Sequence, residues 1–69
     1  MWKIFKYDGK YIQGELISKH SSEDAALKAA KKKIGFTFCE KQKVGKETRI
    51  WLDDINHTPM GIIVKKSRG

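Results

Sequence analysis

The sequence predicts a two-layer α+β domain, with one helix packed on an antiparallel or mixed sheet of four to five strands in the order ββαβββ. Three observations lead there. Apolar and aromatic residues flank an Asp8-Gly9 turn signal, an amphipathic stretch with matched end signals occupies residues 21–34, and a period-two pattern runs from Phe36 to Leu52.

The first element is a β-hairpin. Asp8-Gly9 favours a type I′ turn, which needs φ > 0 at both central residues. A two-residue turn pairs Phe5 with Ile12 and Lys6 with Tyr11. Met1, Phe5, Ile12 and Leu16 then share one face, and Trp2, Ile4, Lys6, Tyr11 and Glu15 the other. Next, Ser21-Ser22-Glu23-Asp24 opens a helix, with Ser21 as cap and Asp24 as its capping-box partner. Lys31, Lys32 and Lys33 suit the negative end of the helix dipole, and Gly35 supplies the left-handed residue after Ile34. Ala26, Leu27, Ala30 and Ile34 form its buried stripe, while Lys28 and Lys32 point away.

Between Phe36 and Leu52 the turn signal is Val44-Gly45. Because Val resists positive φ, the expected connection is a three-residue loop, Lys43-Val44-Gly45. That register puts Phe36, Phe38, Ile50 and Leu52 on the core face, and Thr37, Lys41, Arg49 and Trp51 on the opposite one. Asp53 to Pro59 reads as a loop and Met60 to Lys65 as the last strand. Residues 1–66 are expected to form a single domain and 67–69 a frayed tail.

Sixty-nine residues support one small core and exclude a multidomain enzyme. The single cysteine, Cys39, closes no internal disulfide, and no Cys/His spacing matches a zinc site, so an intracellular, cytoplasmic setting without cofactor or metal is expected. No signal-peptide core or membrane-length apolar run is present. The helix also offers only Leu27 and Ile34 beyond its alanines, too little for membrane insertion once the core has used them.

The net charge of +7 is unevenly placed: residues 1–27 sum to zero, residues 28–49 carry +6, residues 50–59 carry −2 and residues 60–69 carry +3. One helix covers one face of a sheet, so the other face meets water or a partner. On that face the expected register gathers basic and aromatic side chains, the chemistry that contacts phosphates and stacks on bases. The expected function is therefore non-catalytic binding of a polyanion, DNA or RNA. Lys41, Lys43, Lys46 and Arg49 would touch phosphate, with Lys6 beside them, Trp51 and Tyr11 would stack, and Lys28, Lys32, Lys65 and Lys66 would add peripheral attraction. Most bases are Lys, which suits backbone contact better than base reading.

Other constellations are weaker. Asp53, Asp54 and His57 read as turn chemistry before metal ligands. Cys39 is placed mid-strand with neither His20 nor His57 beside it, so no enzyme is expected. The opening Met1-Trp2-Lys3-Ile4-Phe5-Lys6 hairpin, the Ser-capped helix and the Val64-Lys65-Lys66-Ser67-Arg68-Gly69 end resemble the layout of ubiquitin-like β-grasp proteins, by element order over half the chain. Gly69 follows Arg68 and not a second glycine, so the resemblance implies a protein-binding module and not a conjugated tag. It supports the alternative reading: an adaptor that uses the Trp surface to form a homodimer or to dock on an acidic protein.

Overall fold

The computed structural model describes residues 1–66; the tail expected at 67–69 lies outside the described residues. Five strands and one helix follow the expected order: β1 (Trp2–Lys6), β2 (Glu15–His20), α1 (Glu23–Lys33), β3 (Phe38–Val44), β4 (Glu47–Asp53) and β5 (Pro59–Lys66). They form one sheet, β2-β1-β5-β4-β3, in which every neighbouring pair is antiparallel. Strands β2 and β3 therefore point the same way at opposite edges, and α1 runs back across one sheet face to join them.

Local sequence explains the helix and its limits. Ser22, extended at φ −131°, is the cap, its hydroxyl accepting the Ala25 amide at 3.1 Å. The cap thus falls one residue later than expected, and Asp24 is not in capping-box position. Glu23 and Asp24 still occupy the first turn and three lysines the last. Ile34 closes the helix, and Gly35 follows at φ 76°. Ala26 and Ala30 are fully buried beneath it.

The main core lies between helix and sheet and contains Trp2, Ile4, Ala26, Ala30, Phe36, Ile50, Leu52 and Ile63. The helix sits close at Gly61: a Cβ there would lie 2.5 Å from the Phe5 carbonyl oxygen and 2.9 Å from Ile34 Cδ1. Hydrogen then fills the place a side chain would need.

Two turns differ from expectation. In the first hairpin Phe5 pairs with Leu16 and Lys6 with Glu15, leaving residues 7–14 as a long loop. Asp8 starts it by a different route, Oδ1 accepting the amides of Lys10 at 2.8 Å and Tyr11 at 2.7 Å. These bonds pull the Asp8 carboxyl below the ordinary carboxylate range, the Tyr11 amide contributing most. The strand residues nonetheless divide as expected, with Phe5 and Leu16 on one face and Trp2, Ile4, Lys6 and Glu15 on the other. An extra residue at the Ile4/Phe5 register shift tucks Ile17 against the core.

In the second hairpin Val44 pairs with Glu47, so the turn is Gly45-Lys46 and only Gly45, at φ 61°, takes the left-handed conformation. Glycine at the first central position suits a type II′ turn and relieves Val44 of any such demand. Lys41 then faces Ile50 and not Glu47 across the ladder, a slip of three residues. An odd slip sends every β3 side chain to the opposite face.

Candidate nucleic-acid interface

That slip rearranges the expected site. Lys41 pairs with Ile50, and Lys43 with Thr48, on the helix side of the sheet. Lys65 lies beside Thr48 on the same side, its ammonium 5.1 Å from the centre of the Trp2 ring. Lys6, opposite Gly61, also projects to the helix side. Four sheet lysines thus join Lys28, Lys31, Lys32 and Lys33 of α1. Lys41, Lys43 and Lys6 do not share a face with Arg49 and Trp51, as the sequence reading required, because the β3 register is inverted and Lys6 alternates with Phe5.

The open face, away from α1, carries Arg49, Trp51 and Lys66. Arg49 is held by Glu47: its Nε and Nη2 both lie 2.6 Å from Oε2 of that carboxylate. Trp51 is half-buried, and its indole N–H donates to Gln42 Oε1 at 3.0 Å. Neither side chain is a bare platform for a phosphate or a base. Trp2, which alternation groups with Lys6 on β1, lies in the core with 8% exposure. Phe38, expected in the core, is instead exposed here and stacks on His57 at 4.4 Å.

Counting described side chains by face shows the same shift. Alternation and the ladder place eight bases and three acids on the helix side, and four bases and three acids on the open face. The helix-side acids are Glu15, Glu23 and Asp24, and Glu23 engages Lys41 at 2.9 Å. That pair is largely exposed, so its strength is about 0–1 kcal/mol and a competing phosphate can displace it. Strand β3 is exposed along its whole length, which leaves Lys41 and Lys43 accessible beside the helix. Tyr11 is at the first loop, 59% exposed with Lys10 above its ring, and Lys46 is in the second turn.

The open face is less bare than a one-helix domain suggests. Ile62 and Val64 point away from α1 yet are 1% and 3% exposed. Phe5 and Trp51 flank Ile62, and Lys3 and Arg49 flank Val64 across the ladders. Gln13, from the long first loop, borders two hollows there, one with Met1, Lys3, Phe5, Val64 and Lys66 and one with Val44, Glu47, Arg49 and Lys66. The loop therefore reaches over the middle of the sheet, a cover that the expected short turn could not provide.

The loop at Asp54 behaves as turn chemistry predicts. Its Oδ1 accepts the amides of Asn56 at 2.8 Å and Thr58 at 2.9 Å, and His57 adopts φ 60°. Among the described residues no group of three or more His, Cys, Asp or Glu side chains is placed to hold a metal ion. Cys39 is exposed on edge strand β3. No described helix is long and apolar enough to cross a membrane.

No family model matches the chain, and neither a curated protein nor a solved structure matches it. The β-grasp resemblance therefore gains no support beyond its element order.

Proposed function

We propose that this chain is a non-catalytic nucleic-acid-binding module that contacts the phosphate backbone through its helix side. The observation that carries the reading is the β3–β4 register, which gathers Lys41, Lys43 and Lys65 with the helix lysines. Lys28 and Lys32 project from the outer helix surface, so these five side chains offer ammonium groups on both layers. Aromatic stacking has no part on this side, since Trp2 is buried and Trp51 faces the other way. The binding is accordingly backbone-dominated and weakly selective for sequence. An exposed free thiol at Cys39 suits a reducing, intracellular setting.

Fluorescence-anisotropy titrations with single- and double-stranded oligonucleotides at ~50 and ~200 mM salt test the proposal. Five phosphate contacts give a log–log salt slope of about −4.5 on duplex DNA. Absence of binding at the lower salt rejects the reading.

A further inference from the structure

The two edges of the sheet are unequal. Strand β2 bulges at Ile17, which packs against the core, and α1 lies across it and β1. Strand β3 has neither protection: its seven residues pair with β4 without a register shift, include no proline or glycine, and are all exposed. Among the described residues it has a neighbouring strand on one side only. The Val44–Glu47 pair closes a two-residue turn and is hydrogen-bonded, so alternation along the antiparallel ladder turns the N–H and C=O groups of Val44, Gln42 and Glu40 toward β4. Those of Cys39, Lys41 and Lys43 point outward, in the spacing that an added strand requires.

We infer that the outer edge of β3 takes up an extended segment of another protein as an added antiparallel strand, one that alternates acidic and apolar residues. Charge selects this occupant. Antiparallel pairing of β3 with a second copy of itself sets Lys41 on Lys41, Lys41 on Lys43 or Glu40 on Glu40 in registers centred on residues 41, 42 and 40, and like charges directly opposite are destabilising. An acidic strand meets the same lysines favourably. Its residues opposite Lys41 and Lys43 are two apart and lie on the helix side. There Lys41 already engages a carboxylate of this chain, Glu23 at 2.9 Å, in an exposed pair that a second carboxylate can replace. The intervening residues of the added strand lie on the open side, where Phe38 and Val44 stand exposed at the two ends of β3 and Glu40 repels acids. A slip of one residue would turn the acids toward Glu40, so alternation fixes register as well as composition. Main-chain hydrogen bonds supply affinity and the alternate side chains supply selectivity. Phosphate contact by the lysine ammonium groups leaves the outward amides unused, so this role goes beyond the proposed nucleic-acid binding.

The probe is a synthetic peptide of alternating Glu and Val residues, as long as β3, added to the full chain without nucleic acid and followed by NMR amide exchange. Exchange at Cys39, Lys41 and Lys43 should slow on binding, while Glu40 and Gln42, already bonded to β4, should change little. A partner residue opposite an outward residue of β3 points its own N–H at the edge. N-methylation of the peptide's Glu residues should therefore abolish binding, and N-methylation of its Val residues should not. Lys41→Glu with Lys43→Glu, both at exposed positions, should weaken binding of the Glu–Val peptide more than about tenfold. No binding of that peptide overturns the inference. Binding without protection of Cys39, Lys41 and Lys43, or equal binding of the two methylated peptides, shows contact by charge alone and overturns it too. Since nucleic acid is omitted, these outcomes are independent of the proposed function.

Discussion

The two faces of the sheet share a backbone but are closed in different ways. On the helix side, Ile4, Leu52 and Ile63 reach zero exposure under α1, and charge is confined to the margins, where it is predominantly positive. On the open side, Ile62 and Val64 are buried by neighbouring side chains and the reach of the first loop, and the charges nearly balance. Covering a face with a helix produces the main core and also adds four lysines to that side. The comparison teaches that the basic surface and the aromatic surface of this chain are different surfaces, although the sequence interleaves them.

The largest effect that tests this comparison is on stability. Leu52→Ala removes a fully buried side chain under α1 and should cost about 2–5 kcal/mol, whereas Leu16→Ala on the open face should change the single chain by no more than about 0.5 kcal/mol. Urea denaturation of dilute protein gives both values, and equal losses would mean that the faces are closed alike.

The next effect is on binding. Lys32→Glu with Lys43→Glu removes one ammonium from each helix-side layer, both from exposed positions. Affinity for duplex DNA should fall, and the magnitude of the salt slope should drop by about 2 as two phosphate contacts disappear. Lys3→Glu with Lys19→Glu, the matched reversal on the open face, should leave the slope unchanged.

A smaller effect concerns Lys65, whose ammonium stands over Trp2. Lys65→Met retains much of the aliphatic stem but loses the cation–π contact, for a stability loss of about 0.5–1 kcal/mol measurable by thermal denaturation. Glu23→Gln, which removes the ion-pair partner of Lys41, should alter stability by no more than about 1 kcal/mol and tighten DNA binding by freeing that lysine.

The smallest effect belongs to the first loop. Because the folded Asp8 carboxyl titrates below its unfolded value, its contribution is complete above the ordinary carboxylate range and fades as pH falls through the depressed value. Protection of the Lys10 and Tyr11 amides against exchange, taken relative to their intrinsic rates, should fall over that acid interval, and Asp8→Ala should abolish this pH-dependent change in protection.

Much of the architecture was legible in the residues. The acidic start, lysine-rich end and following glycine delimit α1, because each matches a different half of the helix dipole or a terminal conformation. Ile50 and Leu52 declare the inner face of β4 by alternation. The site was less legible, since it depended on β3, where Phe38-Cys39-Glu40-Lys41-Gln42-Lys43-Val44 has no decisive alternation of its own. Its face is set by one turn: Gly45 serves equally as the last residue of a three-residue loop or the first of a two-residue turn, and the choice inverts the strand. Phe38 misled for the same reason, an aromatic on an exposed edge that finds His57 instead of the core. The first hairpin erred more mildly. Asp8-Gly9 does reverse the chain, but Asp8 bonds its own following amides, and the strands pair four residues further along β2 than a tight turn allows.

The central claim, that the helix side and not the open face meets the polyanion, is tested most directly by the salt dependence of duplex DNA binding in the two charge-reversed pairs. The account predicts a shallower slope for Lys32→Glu/Lys43→Glu and an unchanged slope for Lys3→Glu/Lys19→Glu. A slope altered only by the open-face pair would contradict it.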